Sequence, residues 1–297
     1  MIRTVLLAGL GVVALVLVIP WISFAMKRGG AKLPKPTELA IGFVTDFFDT
    51  LGIGSFAVTT SLFKLFKLVP DERIPGTLNT GHTLPTITEA LLFITSIAVA
   101  PPTLVGLIVA SVLGAWLGAG VVSRLPRVYV QVGMGGLLLA AAGVFLANIF
   151  TCHSASGYCG GTALALTGIR FWVGIVAMFA LGALMTIGIG LYAPAMILVG
   201  LLGMNPLAAW PIMMGSCAFL MPFASARFIR FDAYALRSAL GLTIGGIPGV
   251  LAAFYLIHRL PLTLVRWLVV VVVVIAASAM LVSAMKKQVE GFERAPT

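Results

Sequence analysis

Asn79, His82, Thr83, Thr86 and Glu89 recur at spacings of three and four residues, which puts them on one stripe of a helix. They sit inside an otherwise apolar run, 76 to 98, with Glu89 near its middle. A carboxylate at such a place is strongly disfavoured unless it faces a polar cavity, and the chemistry that suits it is the uptake and release of a proton. His82 lies seven residues earlier on the same face and belongs to the one residue type that changes charge near neutral pH. It would relay protons or donate to an anion; the plainer reading is a neutral imidazole bonded to a backbone carbonyl. Asp46 and Asp49 either join this proton chemistry, or simply face water or pair with Lys64 and Lys67.

A second chemistry is carried by backbone. Gly52-Ile53-Gly54-Ser55 and Gly188-Ile189-Gly190-Leu191 each interrupt an apolar stretch, 39 to 63 and 170 to 202. Glycine permits the backbone angles a helix break needs. The helix that restarts after each break offers free N–H groups and the positive end of its dipole, near Gly54 and Ser55 in one case and Gly190 and Leu191 in the other. Such ends suit a small oxyanion, and irregular backbone at membrane depth is tolerated only where it lines a polar cavity. The plainer reading of these glycines is close helix packing.

Other chemistries find less in the chain. The scattered polar residues build no hydrolytic site, so an enzyme is not expected, and no Walker, haem-attachment or zinc motif points to a cofactor. Asp46, Asp49, His82 and Glu89 around a divalent metal is the alternative use of the same side chains; their spacing matches no metal motif.

The elements that must position these residues are membrane helices. Of 297 residues, 60% are hydrophobic and 9% charged, whereas a soluble domain carries about 25% charged residues. The net charge of +10 is not gathered into a basic stripe and no nucleic-acid motif accompanies it, so no nucleic acid is expected. Residues 4 to 26 are uncharged and long enough to cross a bilayer; one Arg3 precedes them, while Lys27, Arg28, Lys32 and Lys35 follow. That is the reverse of a cleavable signal peptide and predicts a retained helix with its N-terminus extracytoplasmic. Residues 31 to 38 then form a cytoplasmic linker.

Further apolar stretches run at 76 to 98, 103 to 122, 128 to 149, 208 to 226, 235 to 256 and 262 to 285. If 39 to 63 and 170 to 202 each enter the membrane, break at the glycines and return, fifteen of the 19 Lys and Arg fall on the cytoplasmic side. Only Arg3, Arg170, Arg259 and Arg266 fall outside. A long tilted helix at each place is the alternative. The C-terminus is then cytoplasmic, the membrane is the cell's inner (cytoplasmic) membrane, and the loop 151 to 169 is extracytoplasmic. Cys152 and Cys159 in that loop are either a disulfide or two free thiols.

The chain also resembles itself. A shift of 136 aligns Leu51 to Ala57 with Ile187 to Ala193 and Pro70 and Pro75 with Pro206 and Pro211; a shift of 135 aligns Gly106 with Gly241, Gly114 with Gly249, and Arg124-Leu125-Pro126 with Arg259-Leu260-Pro261. Each repeat, 38 to 150 and 170 to 285, is then a re-entrant hairpin plus three transmembrane helices. An odd number of crossings inserts the second repeat upside down relative to the first. The expected fold is an all-α integral membrane protein with an inverted repeat, preceded by a helix and linker (1 to 37) and followed by a tail (286 to 297). Inverted repeats with broken helices in matching positions are a recurring plan of secondary transporters, with the binding site where the breaks meet.

At Gly52-Ile53-Gly54-Ser55 and, in the second repeat, Gly188-Ile189-Gly190, Pro194, Leu201-Leu202-Gly203-Met204 and Met214-Gly215-Ser216, the sequence resembles the TauE/SafE family of sulfite exporters and anion permeases. The likeness covers about 38 to 285. The third glycine of the family's turn is replaced by Ser55 and Leu191, and its expected proline in the first repeat by Val58. The resemblance implies secondary-active transport of sulfite, a sulfonate or a related sulfur oxyanion. Joined to the reading of the residues, it predicts an anion held by Gly52, Gly54 and Ser55 and by Gly188, Gly190 and Tyr192. Asn79, Thr80, Thr83 and Ser216 would assist, and Glu89, His82, Asp46 and Asp49 would couple protons. A divalent-cation permease and a non-transport membrane assembly protein are the alternatives. The partners expected are the anion, protons or another coupling ion, and the lipid bilayer. Helix 4 to 26 either packs on the body or pairs with a second copy in a homodimer.

Overall fold

A computed structural model describes residues 2–27, 33–122, 127–151, 161–185 and 190–293. Among them the regular elements are helical: α1 (Ile2–Lys27), α2 (Pro36–Thr50), α3 (Ser55–Leu65), α4 (Ile74–Ser96), α5 (Pro101–Val122), α6 (Arg127–Thr151), α7 (Gly168–Met185), α8 (Tyr192–Leu201), α9 (Ala209–Arg230), α10 (Leu236–Arg259) and α11 (Leu262–Glu293). Short 3-10 turns, Asp71–Arg73 and Pro206–Ala208, lead into α4 and α9. Five stretches among the described residues are long and apolar enough to cross a membrane: Arg3–Phe24, Gly168–Met185, Pro206–Arg230, Leu236–Arg259 and Thr263–Met285. The protein is an all-α membrane protein.

The glycine pair of the first break does what its sequence predicts. Helix α2 stops at Thr50 and α3 starts at Ser55. Gly52 (φ 98°) and Gly54 (φ 90°) turn the chain through angles that side-chain-bearing residues rarely adopt. With 15 and 11 residues, α2 and α3 are about 22 Å and 16 Å long, each short of a bilayer core of about 30 Å. The second break falls between α7 and α8, with residues 186–189, Gly188 included, outside the described residues. Cys152 and Cys159 also lie outside them.

The chain forms two compact units interleaved in sequence, one from Met1–Pro101 and Met214–Leu260, the other from Pro102–Met213 and Pro261–Thr297. In the first unit α10 packs along α2 and α4. The contact is backbone against backbone. A methyl group on Gly245 would collide with Leu39 O, one on Gly249 with Phe43 O, and one on Gly42 with the Leu242 backbone. Small residues let membrane helices approach this closely and gain dispersion where no hydrophobic effect is on offer. The start of α2 is tied down by Glu38, which accepts from the Lys35 N–H (2.7 Å), the Ser238 hydroxyl (2.7 Å) and the Arg237 guanidinium (3.2 Å).

Helix α1 packs on this unit. Leu17 and Trp21 bury against Ile229, Tyr234 and Ala239, and Arg3 donates to Ile94 O and Ile97 O at the end of α4, where carbonyls lack helical partners.

In the second unit α6 packs on α11, while α5 meets α7 through Gly114, which lies against Phe179 O, and Gly182, which lies against Ser111 O. Two of these contacts have counterparts in the first unit. Shifts of 135 and 136 carry Gly114 to Gly249 and Phe43 to Phe179, so Gly249 on Phe43 and Gly114 on Phe179 are the same contact made twice. The pair Gly182 and Ser111 likewise corresponds to Asp46 and Gly246, which also touch.

Candidate functional site

Three helical spacings and one chain reversal build the site. Asp46 and Asp49 stand one turn apart on α2, as do Ser55 and Thr59 on α3, and His82 and Glu89 stand two turns apart on α4. Folding α3 back at Gly52 and Gly54 and laying both arms against α4 brings all six side chains into the interior. Asp46, Thr59, His82 and Glu89 are 0% exposed, and Asp49 and Ser55 3%. These values exclude the reading in which Asp46 and Asp49 face water. Lys64 pairs instead with Asp71 at the surface (3.4 Å).

The centre is a chain of three groups. His82 Nδ1 lies 2.7 Å from Asp46 Oδ1, and His82 Nε2 lies 3.1 Å from Thr59 Oγ1. The Thr59 hydroxyl is also 2.9 Å from Ser55 O, and the Phe56 ring covers the imidazole with its centroid at 5.9 Å. The second oxygen of Asp46 has no hydrogen-bond partner and lies against the bare Cα of Gly246 on α10, where an added methyl group would also meet Pro85.

Two further links leave this chain. Asp49 Oδ1 accepts the Ser55 N–H at 2.6 Å, so the first free donor of α3 is held by a carboxylate of the same hairpin. Sequence reasoning assigns that donor to a substrate anion; the chain reversal puts Asp49 there, six residues upstream. The Thr50 hydroxyl lies 2.6 Å from Glu89 Oε1 and 2.7 Å from Asp46 O, while Glu89 Oε2 is unpartnered. The charged groups acting on Asp49 are Asp46 and His82, and those acting on Glu89 are Asp49 and Asp46.

The remaining predicted residues divide between the units. Thr80 is fully buried beside this stripe with its hydroxyl unpartnered. Thr83 bonds to Ser225 of α9 (2.8 Å) and to Asn79 O, whereas the half-buried Asn79 turns its amide back onto Pro75 O. Ser216 is buried on α9 in the same unit. In the other unit Tyr192 opens α8, buried, and Gly190 before it is exposed. Sequence reasoning misses Thr50, Thr59 and Gly246. The first two stand four residues after Asp46 and Ser55, a spacing that puts them on the same faces.

Among the described residues no three His, Cys, Asp or Glu side chains are grouped so as to hold a metal ion. No protein-family model, curated protein or solved structure matches the chain.

Proposed function

We propose that the protein is a proton-coupled secondary transporter of a small anion, with Asp46, His82, Asp49 and Glu89 as its proton-carrying groups. The observation that carries this reading is the buried cluster itself. Three carboxyl groups and one imidazole, all out of reach of solvent, would be strongly disfavoured if every carboxyl were ionised. Protons must share the site. A membrane interior that keeps several proton acceptors within a few ångströms of a broken helix is suited to moving charge, and a purely structural bundle gains nothing from it.

The anion is a sulfur oxyanion on the resemblance to sulfite exporters, sulfite or a sulfonate in particular. Gly54 and Ser55 supply its backbone donors, whereas the Gly52 N–H, expected from the sequence to join them, is given to Asp49 O at 2.7 Å within the turn. Asp49 occupies the Ser55 N–H in the structure, and a proton on Asp49 would release that donor, so the proton and the anion would arrive together. The contacts made twice, Gly249 on Phe43 and Gly114 on Phe179, support two repeats of common origin. With an odd number of crossings in each, they are inverted, with the N-terminus outside and the C-terminus in the cytoplasm of the cell that carries the protein in its inner membrane.

Reconstituted liposomes test the reading. Uptake of labelled sulfite or a sulfonate should rise several-fold with an imposed pH gradient, and Glu89→Gln should abolish that dependence while leaving binding measurable. Uptake that ignores the gradient in the wild type removes the proton role, and saturable uptake of a divalent cation with no response to anions would favour a cation permease.

A further inference from the structure

The Thr59 hydroxyl has one proton and two acceptors within reach, Ser55 O at 2.9 Å and His82 Nε2 at 3.1 Å. Which of them it serves is decided by the other side of the imidazole. Nδ1 and Asp46 Oδ1 are 2.7 Å apart, a separation that requires a proton between them, since two facing lone pairs would repel.

When the Asp46–His82 pair holds its extra proton it is neutral overall. One proton then lies between Nδ1 and Oδ1, whichever atom carries it, and the other is on Nε2. Nε2 is a donor, Thr59 Oγ accepts from it, and the hydroxyl proton is free to go to Ser55 O. When the extra proton leaves, the pair carries one negative charge and the imidazole keeps a single proton. The short Nδ1 to Oδ1 contact claims it, so Nε2 becomes a bare acceptor and the hydroxyl must turn from Ser55 O to Nε2. The charge facing this pair comes from Asp49 on α2 and Glu89 on α4, while α10 presents Gly246.

We propose that the Thr59 hydroxyl is a proton-state switch, turning between Ser55 O and His82 Nε2 as the Asp46–His82 pair gains and loses a proton, and so carrying the state of the pair into the first turn of α3. Ser55 is the residue whose N–H is held by Asp49, so the switch acts on the hairpin break itself. The proposal rests on the reading of this cluster as the proton carrier.

The test uses the full chain in lipid nanodiscs with ¹⁵N-labelled histidine. The chain has 3 histidines, and His82→Gln assigns the signal. Nε2 of His82 is expected to carry a proton at low pH and to lose it at high pH while Nδ1 keeps its own; an Nε2 that stays protonated throughout overturns the switch. The protection factors of the Ser55 to Thr59 amides, which divide out the intrinsic rise of exchange with pH, should change about fivefold over the same interval, one hydrogen bond's worth. That change should persist in Thr59→Ser and vanish in Thr59→Val. A Thr59→Val chain that responds like the wild type overturns the proposal. Liposomes without proton-coupled uptake, in a chain whose Nε2 still switches, would sink the transporter reading and leave the switch standing.

Discussion

Asp46 is bonded through one carboxylate oxygen to His82 and pressed with the other against the Cα of Gly246, where a single methyl group would fall on the oxygen. The glycine on α10 thus sets the position of an acid on α2. Replacing it by alanine must move either the helix, which is held along its length by Gly245 and Gly249, or the carboxylate. Gly246→Ala should lower stability by about 1–3 kcal/mol, as overpacking does, and should weaken proton-coupled uptake in the fraction that folds. Wild-type thermal unfolding and wild-type pH dependence together would show that the space is not needed.

Asp46 and His82 are a buried pair, so removing one partner should be worse than removing both. Asp46→Asn or His82→Gln alone is expected to destabilise by about 3–5 kcal/mol, the range for stranding one member of a buried pair. The double variant should recover part of that loss. A thermal-unfolding cycle in nanodiscs measures the coupling, and strict additivity would mean that the two side chains do not interact.

Glu38 gives a pH dependence of defined sign. Burial alone would push its carboxyl up, but the Lys35 N–H, the Ser238 hydroxyl and Arg237 outweigh it and hold the group below its usual value. Folding therefore favours the ionised form. That contribution is complete above the ordinary glutamate value of about 4.3 and is lost as pH falls through the lower folded value. The difference in melting temperature between wild type and Glu38→Gln should be largest near neutral pH and shrink below about pH 4. A difference that grows in acid would reverse the assignment.

The paired crossings predict paired losses. Gly249→Ala pushes on Phe43 O and Gly114→Ala on Phe179 O, so each should destabilise by about 1–3 kcal/mol. Gly133, Gly136 and Gly143 face open space, and alanine there should be neutral or mildly stabilising. Differential scanning of the five variants checks this, and equal effects at all five would discount the close approach.

The helices were legible because an uncharged run of some twenty residues has few other fates, and the first break because two glycines interrupt such a run. The stripe from Asn79 to Glu89 was legible as one face of a helix for the same periodic reason. What faces that stripe was not. Asp46 lies 36 residues before His82, and nothing local distinguishes an acid near a helix break that meets an imidazole from one that meets water. The occupation of the Ser55 N–H by Asp49 depends on how tightly Gly52 and Gly54 turn the chain, a matter of two positive φ angles that the residue types allow without dictating.

The interleaving of the two units bears on how the chain is made. Helices α2, α3 and α4 leave the ribosome long before α10, whose Gly246 lies against Asp46, because residues 102–213 of the other unit come first. Through that interval Asp46 waits without its cover, and no order of synthesis from the N-terminus finishes one unit before beginning the other. A chain cut anywhere between 102 and 235 would therefore leave Asp46 without α10 beside it, and quality control should clear such fragments quickly. Supplying the missing segment as a separate peptide in the same membrane should rescue them.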